Sequence, residues 1–244
     1  KPYGQHMTTQ TSTEQNFGPV FGLYTYRQIA PPQTKARIDS IESQIAGLQK
    51  RIASLIVPTD RKPLELRLRQ EYFFTSASLQ DILRRHKLHH GDLATVPEKA
   101  AIQLNDTHPA IAVAELMRLL VDVHGVPWDE AWQITVGTTS YTNHTLLPEA
   151  LETWSLPLFE RMLPRHLEIV YEINARFLAE VRARYPGDEA RVARMSLIDE
   201  GGERRVRMAS LAVVTSHKVN GVSALHSDLM VRTLFADFAQ MWPE

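Results

Sequence analysis

The sequence predicts a helix-rich α/β fold, and three observations support that prediction. A short apolar run over residues 101–104, followed by a polar turn, indicates a buried strand. Amphipathic patterns over residues 109–123 and 164–184 indicate helices, and the second pattern stops at a Tyr-Pro-Gly breaker. Further strand-like segments follow over residues 195–198 and 205–208. Strands mixed with longer helices are typical of α/β domains.

Composition excludes several classes of function. The 27 Lys and Arg residues against 28 Asp and Glu residues give a net charge of −1, so no overall positive field attracts nucleic acid or an anionic membrane. Zero cysteines exclude disulfides and thiolate chemistry, which suits a cytoplasmic protein. No signal peptide or membrane-spanning apolar run is recognisable. A neutral substrate is compatible with this composition.

The first 59 residues are predicted to form two regions. Residues 1–34 are rich in Gln, Thr, Gly and Pro, which predicts a loop or poorly ordered tail. Residues 35–59 predict an amphipathic helix that either packs against its own domain or forms a subunit contact. Its apolar positions recur at alternating spacings of three and four: Ile38, Ile41, Ile45, Leu48, Ile52 and Leu55.

A helix is predicted from about residue 64 to residue 86, and basic residues cluster at its end. The cluster comprises Arg84, Arg85, His86, Lys87, His89 and His90. Basic residues at a helix C-terminus complement the helix dipole, which accounts for the cluster without a ligand. The three histidines lack a carboxylate or cysteine partner at a recognised spacing, so no metal site is predicted.

A polar turn follows the strand over residues 101–104. It leads into a helix predicted to open at Pro109, whose ring suits the first helical position because that position needs no N–H. Free backbone donors at this helix start, with Asp106 and His108 beside them, predict a site for a neutral polar ligand. Alternatively, Asp106 or Thr107 caps the helix and His108 is a surface residue.

The segment Tyr141-Thr-Asn-His-Thr145 lies between a helix predicted over residues 128–138 and helix signals over residues 149–153. Its β-branched and polar residues predict an irregular, partly buried connection between helices. A histidine in such a place is either a satisfied structural residue or a catalytic one, so His144 is a candidate for both. A further buried element is predicted over residues 211–215.

From about Asp60 to Glu244 the chain resembles the glycogen and maltodextrin phosphorylases, which are pyridoxal 5′-phosphate (PLP) dependent α-glucan phosphorylases. Two of the matching blocks are Ile102-Gln-Leu-Asn-Asp-Thr-His-Pro109 and Tyr141-Thr-Asn-His-Thr145. Others cover residues 65–73, 79–86, 146–152, 163–177, 219–222 and 226–227. The match covers an internal part of a longer polypeptide, and both ends of this chain look cut. The resemblance implies that residues 60–244 are part of the N-terminal domain of a two-domain GT-B enzyme.

The resemblance also implies roles for particular residues. The ring of His144 is expected to bind the 6-hydroxyl of the sugar, while its carbonyl faces the positive charge that develops at the anomeric carbon. Asp106 and His108 are expected to line the substrate site. Asn143 and Thr145 are expected to support His144. At the end of Val219-Asn-Gly-Val222, Asn220 and Gly221 shape a turn that presents Val222 to the sugar.

The implied reaction is phosphorolysis of an α-1,4-glucan by inorganic phosphate, with glycogen, starch and maltodextrin all open as substrates. The PLP lysine is expected outside this chain, so the isolated chain should be inactive and colourless. The family is expected to form homodimers through the helix at residues 35–59. The turn at residues 59–64 is either an active-site gate or a simple charged loop, and Arg84 and Arg85 are candidates to bind a nucleotide phosphate. The alternative function is a non-catalytic glucan-binding or assembly module.

Overall fold

The computed structural model of this protein describes residues 63–243. The predicted tail at residues 1–34, the predicted amphipathic helix at residues 35–59 and most of the turn at residues 59–64 lie outside the described residues. Among residues 63–243, no helix combines the length and apolarity needed to cross a membrane.

The first described element is the long helix α1, Pro63–His90. Proline occupies its first position, and the buried side chains Leu68, Leu79 and Leu83 attach it to the core. The helix runs four residues beyond the predicted end at His86, because the basic residues that follow are favourable in a last helical turn. It ends at Gly91, whose φ of 78° lies in the left-handed region that favours glycine.

A parallel sheet organises the next part of the chain. The 3₁₀ turn Leu93–Thr95 and helix α2, Val96–Lys99, lead into strand β1, Ile102–Asn105. Helix α3, Ile111–Arg118, continues as a π-helical turn over Leu119–Val123, and helix α4, Trp128–Thr138, precedes strand β2, Thr139–Asn143.

A 3₁₀ turn at Pro148–Ala150 leads into an antiparallel sheet and its helices. The strands of this sheet are β3 (Thr153–Ser155), β4 (Ile198–Asp199) and β5 (Arg205–Arg207), with β5 in the middle. Between β3 and β4 lie helices α5 (Leu156–Met162), α6 (Pro164–Arg184) and α7 (Glu189–Met195). Helix α8 (Met208–Val214) then returns the chain to the parallel sheet at strand β6 (Lys218–Gly221), followed by helices α9 (Ala224–Arg232) and α10 (Ala236–Met241).

Strand β2 is the centre of the parallel sheet, between β1 and β6. The prediction of an irregular connection at residues 141–145 was therefore wrong for residues 141–143. Tyr141 and Asn143 face the interior and are fully buried, and hydrogen bonds satisfy their polar atoms. The alternating burial of this strand could not be recognised from the sequence, because its buried positions include polar residues. The mixture of a parallel sheet with many helices confirms the predicted α/β class.

Other local predictions also need correction. Helix α3 begins at Ile111, so Pro109 lies in the preceding turn, and Ala110 rather than Asp106 or Thr107 occupies the cap position. Residues 149–153 form a 3₁₀ turn and the start of β3 instead of a helix. Residues 218–221, expected to include a turn at Asn220 and Gly221, form strand β6.

The core is built around α3, in which every residue from Ile111 to Met117 is buried. Glu115 is among them, and it accepts hydrogen bonds from Ser76 at 2.6 Å, from Arg118 at 2.7 Å and from the His166 ring at 2.7 Å. Burial alone would raise the pKa of Glu115, but these three donors outweigh it and lower the pKa to about 2. We call these four residues the Glu115 network.

Candidate functional site

Three parallel strands end at one edge of their sheet, and polar residues lie at each end. Asn105, Asn143 and Gly221 are the last residues of β1, β2 and β6, and the register pairs Asn143 with Gly221 and Asn105 with Thr142. Open α/β sheets bind ligands beyond the carboxyl ends of their strands. We call this region the carboxyl edge. Segments that are far apart in the sequence therefore meet where a ligand site is expected.

His144 follows β2 at the carboxyl edge and is exposed. Its Nε2 forms a hydrogen bond with Oδ1 of Asn105, the last residue of the neighbouring strand β1. Because an amide oxygen only accepts, Nε2 carries the proton and donates it to Asn105. In the neutral ring, Nδ1 is then an acceptor, and it can receive a hydroxyl hydrogen from a ligand.

Asn143, the last residue of β2, fixes the carboxyl edge through hydrogen bonds in the interior. It is fully buried, and its amide donates to the Tyr141 hydroxyl at 3.0 Å, while the His226 ring Nε2 donates to its Oδ1 at 2.8 Å. Burial raises the pKa of the Tyr141 phenol well above its usual value, so this hydroxyl stays neutral. The predicted support of His144 by Asn143 is therefore indirect: Asn143 fixes the end of β2, from which His144 projects.

His226 was not predicted as part of the site, although its block matched the family. It packs so closely on Gly221 that a Cβ added at Gly221 would lie 2.3 Å from His226 Cδ2. Glycine is required there by this close approach. The sequence offered a weak signal, since an Asn-Gly pair six residues before a His-Ser pair indicates neither a contact nor its direction.

The outer face of the sheet carries a row of polar contacts. Gln103 donates to the Thr142 hydroxyl at 2.8 Å, and this hydroxyl donates to Oδ1 of Asn220 at 3.1 Å. Val222 lies just past β6 and is 53% exposed, so it is free to contact a ligand. The Thr145 hydroxyl accepts a hydrogen bond from the Leu147 amide at 3.1 Å. It therefore stabilises the chain that leaves the sheet and is not hydrogen-bonded to the His144 ring.

Asp106 gives the turn after β1 its shape. Its φ of 63° lies in the left-handed region, which aspartate tolerates better than most residues. Its amide donates to the Thr142 carbonyl at 2.9 Å, and its carboxylate accepts from the Thr107 amide at 2.6 Å. Thus one expected free donor, the Thr107 amide, is already used inside the turn.

His108 faces a different cluster from His144. Its Nδ1 lies 3.6 Å from Glu152 Oε1 and 3.9 Å from Glu71 Oε1. The neighbouring carboxylate of Glu152 raises the pKa of His108. Burial, together with the nearby charge of Glu152, raises the pKa of Glu71 to about 9. Neither glutamate was predicted as a site residue, because each belongs to a segment whose spacing carries no metal or catalytic pattern. We call Glu71, His108 and Glu152 the acidic cluster.

Arg84 and Arg85, the basic pair near the end of α1, contact Asp81 of the same helix and no residue of the carboxyl edge. Arg84 and Arg85 both bind the carboxylate of Asp81, Arg84 at 2.8 Å. Arg84, Lys87 and Arg118 line a surface cleft of about 690 Å³. The cleft is basic on balance, but Asp81 already neutralises part of its charge, so nucleotide binding by Arg84 and Arg85 stays a prediction.

Comparison with known proteins shows which family the chain matches. Residues 34–244 match the family described as carbohydrate phosphorylase. The chain is 58% identical over 195 residues to a glycogen phosphorylase of Synechocystis sp., and the match covers 79% of this chain and 23% of that protein. It is 54% identical over 200 residues to glycogen phosphorylase of Chlamydia trachomatis, covering 81% and 25%.

The muscle form of glycogen phosphorylase from Oryctolagus cuniculus is 50% identical over 207 residues, covering 81% of this chain and 25% of the relative. The chain therefore spans about a quarter of the length of the curated relatives it matches. The family match begins at residue 34, so it also includes the segment before Asp60, where no close resemblance was recognised.

Proposed function

The chain belongs to the carbohydrate phosphorylase family, and from this premise we propose that it is part of an α-1,4-glucan phosphorylase. Such an enzyme uses inorganic phosphate to release glucose 1-phosphate from the end of glycogen, starch or maltodextrin. The observation that carries the proposal is that His144, Asn105 and Val222 lie together at the carboxyl edge. The longer protein is proposed to be a cytoplasmic homodimer of the GT-B type.

The carboxyl edge offers the chemistry that a neutral sugar needs. Its amides and hydroxyls are uncharged and already oriented by their neighbours, so they can replace water around sugar hydroxyls at little entropic cost. The His144 ring is proposed to accept the hydrogen of the 6-hydroxyl at Nδ1. Its main-chain carbonyl is proposed to stabilise positive charge at the anomeric carbon as the glycosidic bond breaks. Val222 supplies an apolar contact.

Asp106 and His108 are proposed to complete the sugar side of the site. The turn geometry fixes the direction of the Asp106 carboxylate, and His108 is oriented by Glu152 at 3.6 Å. Both side chains act by positioning hydroxyl groups and not by forming a covalent bond to the substrate.

The residues of this segment do not fit a PLP site by themselves. Within residues 63–243 the lysines are Lys87, Lys99 and Lys218, and all three are exposed on the surface. A lysine that forms a Schiff base usually lies in a pocket that lowers its pKa and excludes water. We therefore propose that PLP, when present in the longer protein, is held by residues outside this segment, and no step here is assigned to it.

The 244-residue chain alone is expected to show no phosphorolysis. The measurement is release of glucose 1-phosphate from maltodextrin with and without inorganic phosphate, and phosphate-dependent release would contradict the proposal. The coding sequence beyond Glu244 is an independent test. It should continue into a segment that supplies a PLP lysine and phosphate-binding basic residues; a stop codon there would favour the non-catalytic glucan-binding module.

In the longer protein, His144→Ala should lower kcat/KM at least about tenfold, because a hydrogen bond worth about 1.5 kcal/mol is lost in the transition state. His217→Ala is the matched control. His217 is also an exposed histidine of the parallel sheet, but it lies next to the start of β6, at the opposite edge. Equal activity of the two variants would remove His144 from the site.

A further inference from the structure

The acidic cluster joins three elements through side chains that can all bind a metal. Glu71 comes from α1, His108 from the turn after β1, and Glu152 from the segment before β3. One ligand atom from each residue can be chosen so that all three lie within 4.8 Å of one another. In the part of the chain that the structure describes, no other group of three such side chains comes as close.

Each of the two carboxylates in this cluster has one oxygen that no described residue satisfies. Glu71 has a side chain only 6% exposed, and its Oε2 has no hydrogen-bond partner within the described residues. Oε2 of Glu152 is likewise buried and lacks a partner there. A buried carboxylate oxygen without a partner is costly, so a bound group is expected to compensate for it.

We propose that Glu71, His108 and Glu152 bind a single divalent transition-metal ion, with Zn²⁺ as the best match. Zinc accepts imidazole nitrogen and carboxylate oxygen together, at bond lengths of about 2.0–2.2 Å, which puts tetrahedral ligand atoms about 3.4 Å apart. The separations from His108 Nδ1, 3.6 Å and 3.9 Å, need to contract by only a few tenths of an ångström. Three protein ligands leave one position for water.

Access and charge are both compatible with such a site. His108 is 57% exposed, so an ion can enter from solvent. Arg67 binds Oε1 of Glu71 at 2.7 Å, the same oxygen that lies 3.9 Å from His108 Nδ1, so a metal shares this carboxylate with Arg67 and can also reach its unpartnered Oε2. Because Arg67 is a cation beside the site, it should weaken metal binding without preventing it.

This site goes beyond the proposed phosphorolysis: it shares His108 with the proposed sugar site but uses no atom of His144, and it assigns the metal no step in that reaction. It can therefore be tested on the 244-residue chain by titration calorimetry, whether or not the chain has any activity. The probes are Zn²⁺ and, at the same concentrations, Mg²⁺. One Zn²⁺ should bind per chain. Mg²⁺ should bind far more weakly, because it prefers six oxygen ligands.

Variants assign the binding to particular side chains. Glu152→Gln and His108→Asn should each weaken Zn²⁺ binding at least about tenfold, as expected when a ligand is lost. Arg67→Gln should tighten it severalfold, because a neighbouring positive charge is removed. The control is the double variant His89→Asn with His90→Asn, which removes two exposed histidines outside the cluster and should leave the affinity unchanged.

His108→Asn keeps the test decisive if a buried substitution fails to fold, because the His108 side chain is more than half exposed and the variant can be checked by circular dichroism. The proposal is overturned if wild-type chain binds no Zn²⁺, or if folded His108→Asn binds it as tightly as wild type. It is equally overturned if binding is lost in the double variant of His89 and His90, since the surface histidines then hold the metal.

Discussion

His144 and His166 make the same kind of contact in opposite surroundings. Each ring nitrogen Nε2 lies against a side-chain oxygen, of Asn105 for His144 and of Glu115 for His166. His144 is exposed and its partner is neutral, whereas His166 is 5% exposed and its partner is a carboxylate with no exposure. The difference shows that burial and partner charge, and not residue type, decide whether a histidine stabilises the fold or stays available to a ligand.

The Glu115 network and the carboxyl edge also differ in how many of their polar groups have hydrogen-bond partners within the protein. In the Glu115 network, three donors converge on one carboxylate, so removal of Glu115 leaves all three donors without their common acceptor. At the carboxyl edge, neutral groups point to solvent and can exchange protein contacts for ligand contacts. We therefore expect substitutions in the network to change stability and substitutions at the edge to change binding.

The largest effect should come from Glu115→Ala. It leaves Arg118, His166 and Ser76 without their common acceptor, so the free energy of unfolding should fall by about 3–5 kcal/mol, as for other broken buried pairs. Urea unfolding followed by circular dichroism measures this change. The control is Asp129→Ala, which breaks an ion pair with Arg176 in which Asp129 is 87% exposed, and should cost less than about 0.5 kcal/mol. Similar losses in both variants would contradict the comparison.

Acid should weaken the network next. The pKa of Glu115 is lowered to about 2 from an ordinary 4.5, so the stability it contributes is present above pH 4.5 and is lost as the pH falls towards 2. A shift of this size corresponds to a total on the order of 3 kcal/mol. Urea midpoints at pH 6, 4.5 and 3 should fall less steeply for Glu115→Gln than for the wild type; parallel curves would show that other carboxylates cause the acid loss.

At the carboxyl edge, Gly221→Ala should have the largest effect on stability. Its Cβ would lie 2.3 Å from His226 Cδ2 and 2.9 Å from the Ser227 amide, so His226 must move away from Asn143. Overpacking of this kind costs about 1–3 kcal/mol. In a His226→Ala background the same substitution should cost less, because one of the two clashes is gone. An equal cost in both backgrounds would place the strain at the Ser227 backbone.

The smallest effect on stability should come from His144→Ala. Its ring is exposed and its partner Asn105 remains accessible to water, so the loss should be within about 1 kcal/mol. His166→Ala is the matched comparison, and it should cost more because it uncovers the buried Glu115 carboxylate. A cost for His144→Ala that equals the cost for His166→Ala would mean that His144 is structural, which is the alternative that the sequence left open.

The elements that the sequence predicted correctly are those with a single clear period. Helix α1, helix α6 and strand β1 carry apolar residues on one side, and they formed close to their predicted bounds. Strand β2 was not predicted, because its buried positions include the polar residues Tyr141 and Asn143. Their polar atoms are satisfied by the Asn143–Tyr141 bond, across 2 residues, and by the Asn143–His226 bond, across 83 residues. Local periodicity cannot indicate hydrogen bonds over that separation.

The residues of the candidate site also fall into those that the sequence indicated and those that it did not. His144, Asn143 and Asp106 could be singled out because they belong to compact polar segments at the ends of predicted elements. Glu71 and Glu152 could not, because a glutamate in a helix or a loop looks like any surface carboxylate until the fold shows that it is buried. For Thr145 the sequence suggested a role beside His144, and the structure gives its hydroxyl to the Leu147 amide.

The order of the parallel sheet has a kinetic consequence. Gln103 and Thr142, which join β1 to β2, are 39 residues apart, whereas Thr142 and Asn220, which join β2 to β6, are 78 residues apart. Doubling a loop adds about 0.6 kcal/mol to the entropy cost of closing it. We therefore expect β1 and β2 to pair first as the chain emerges from the ribosome, with β6 and His226 docking last. Pulse-labelled hydrogen exchange would test this order, since the amides of β6 should gain protection after those of β2.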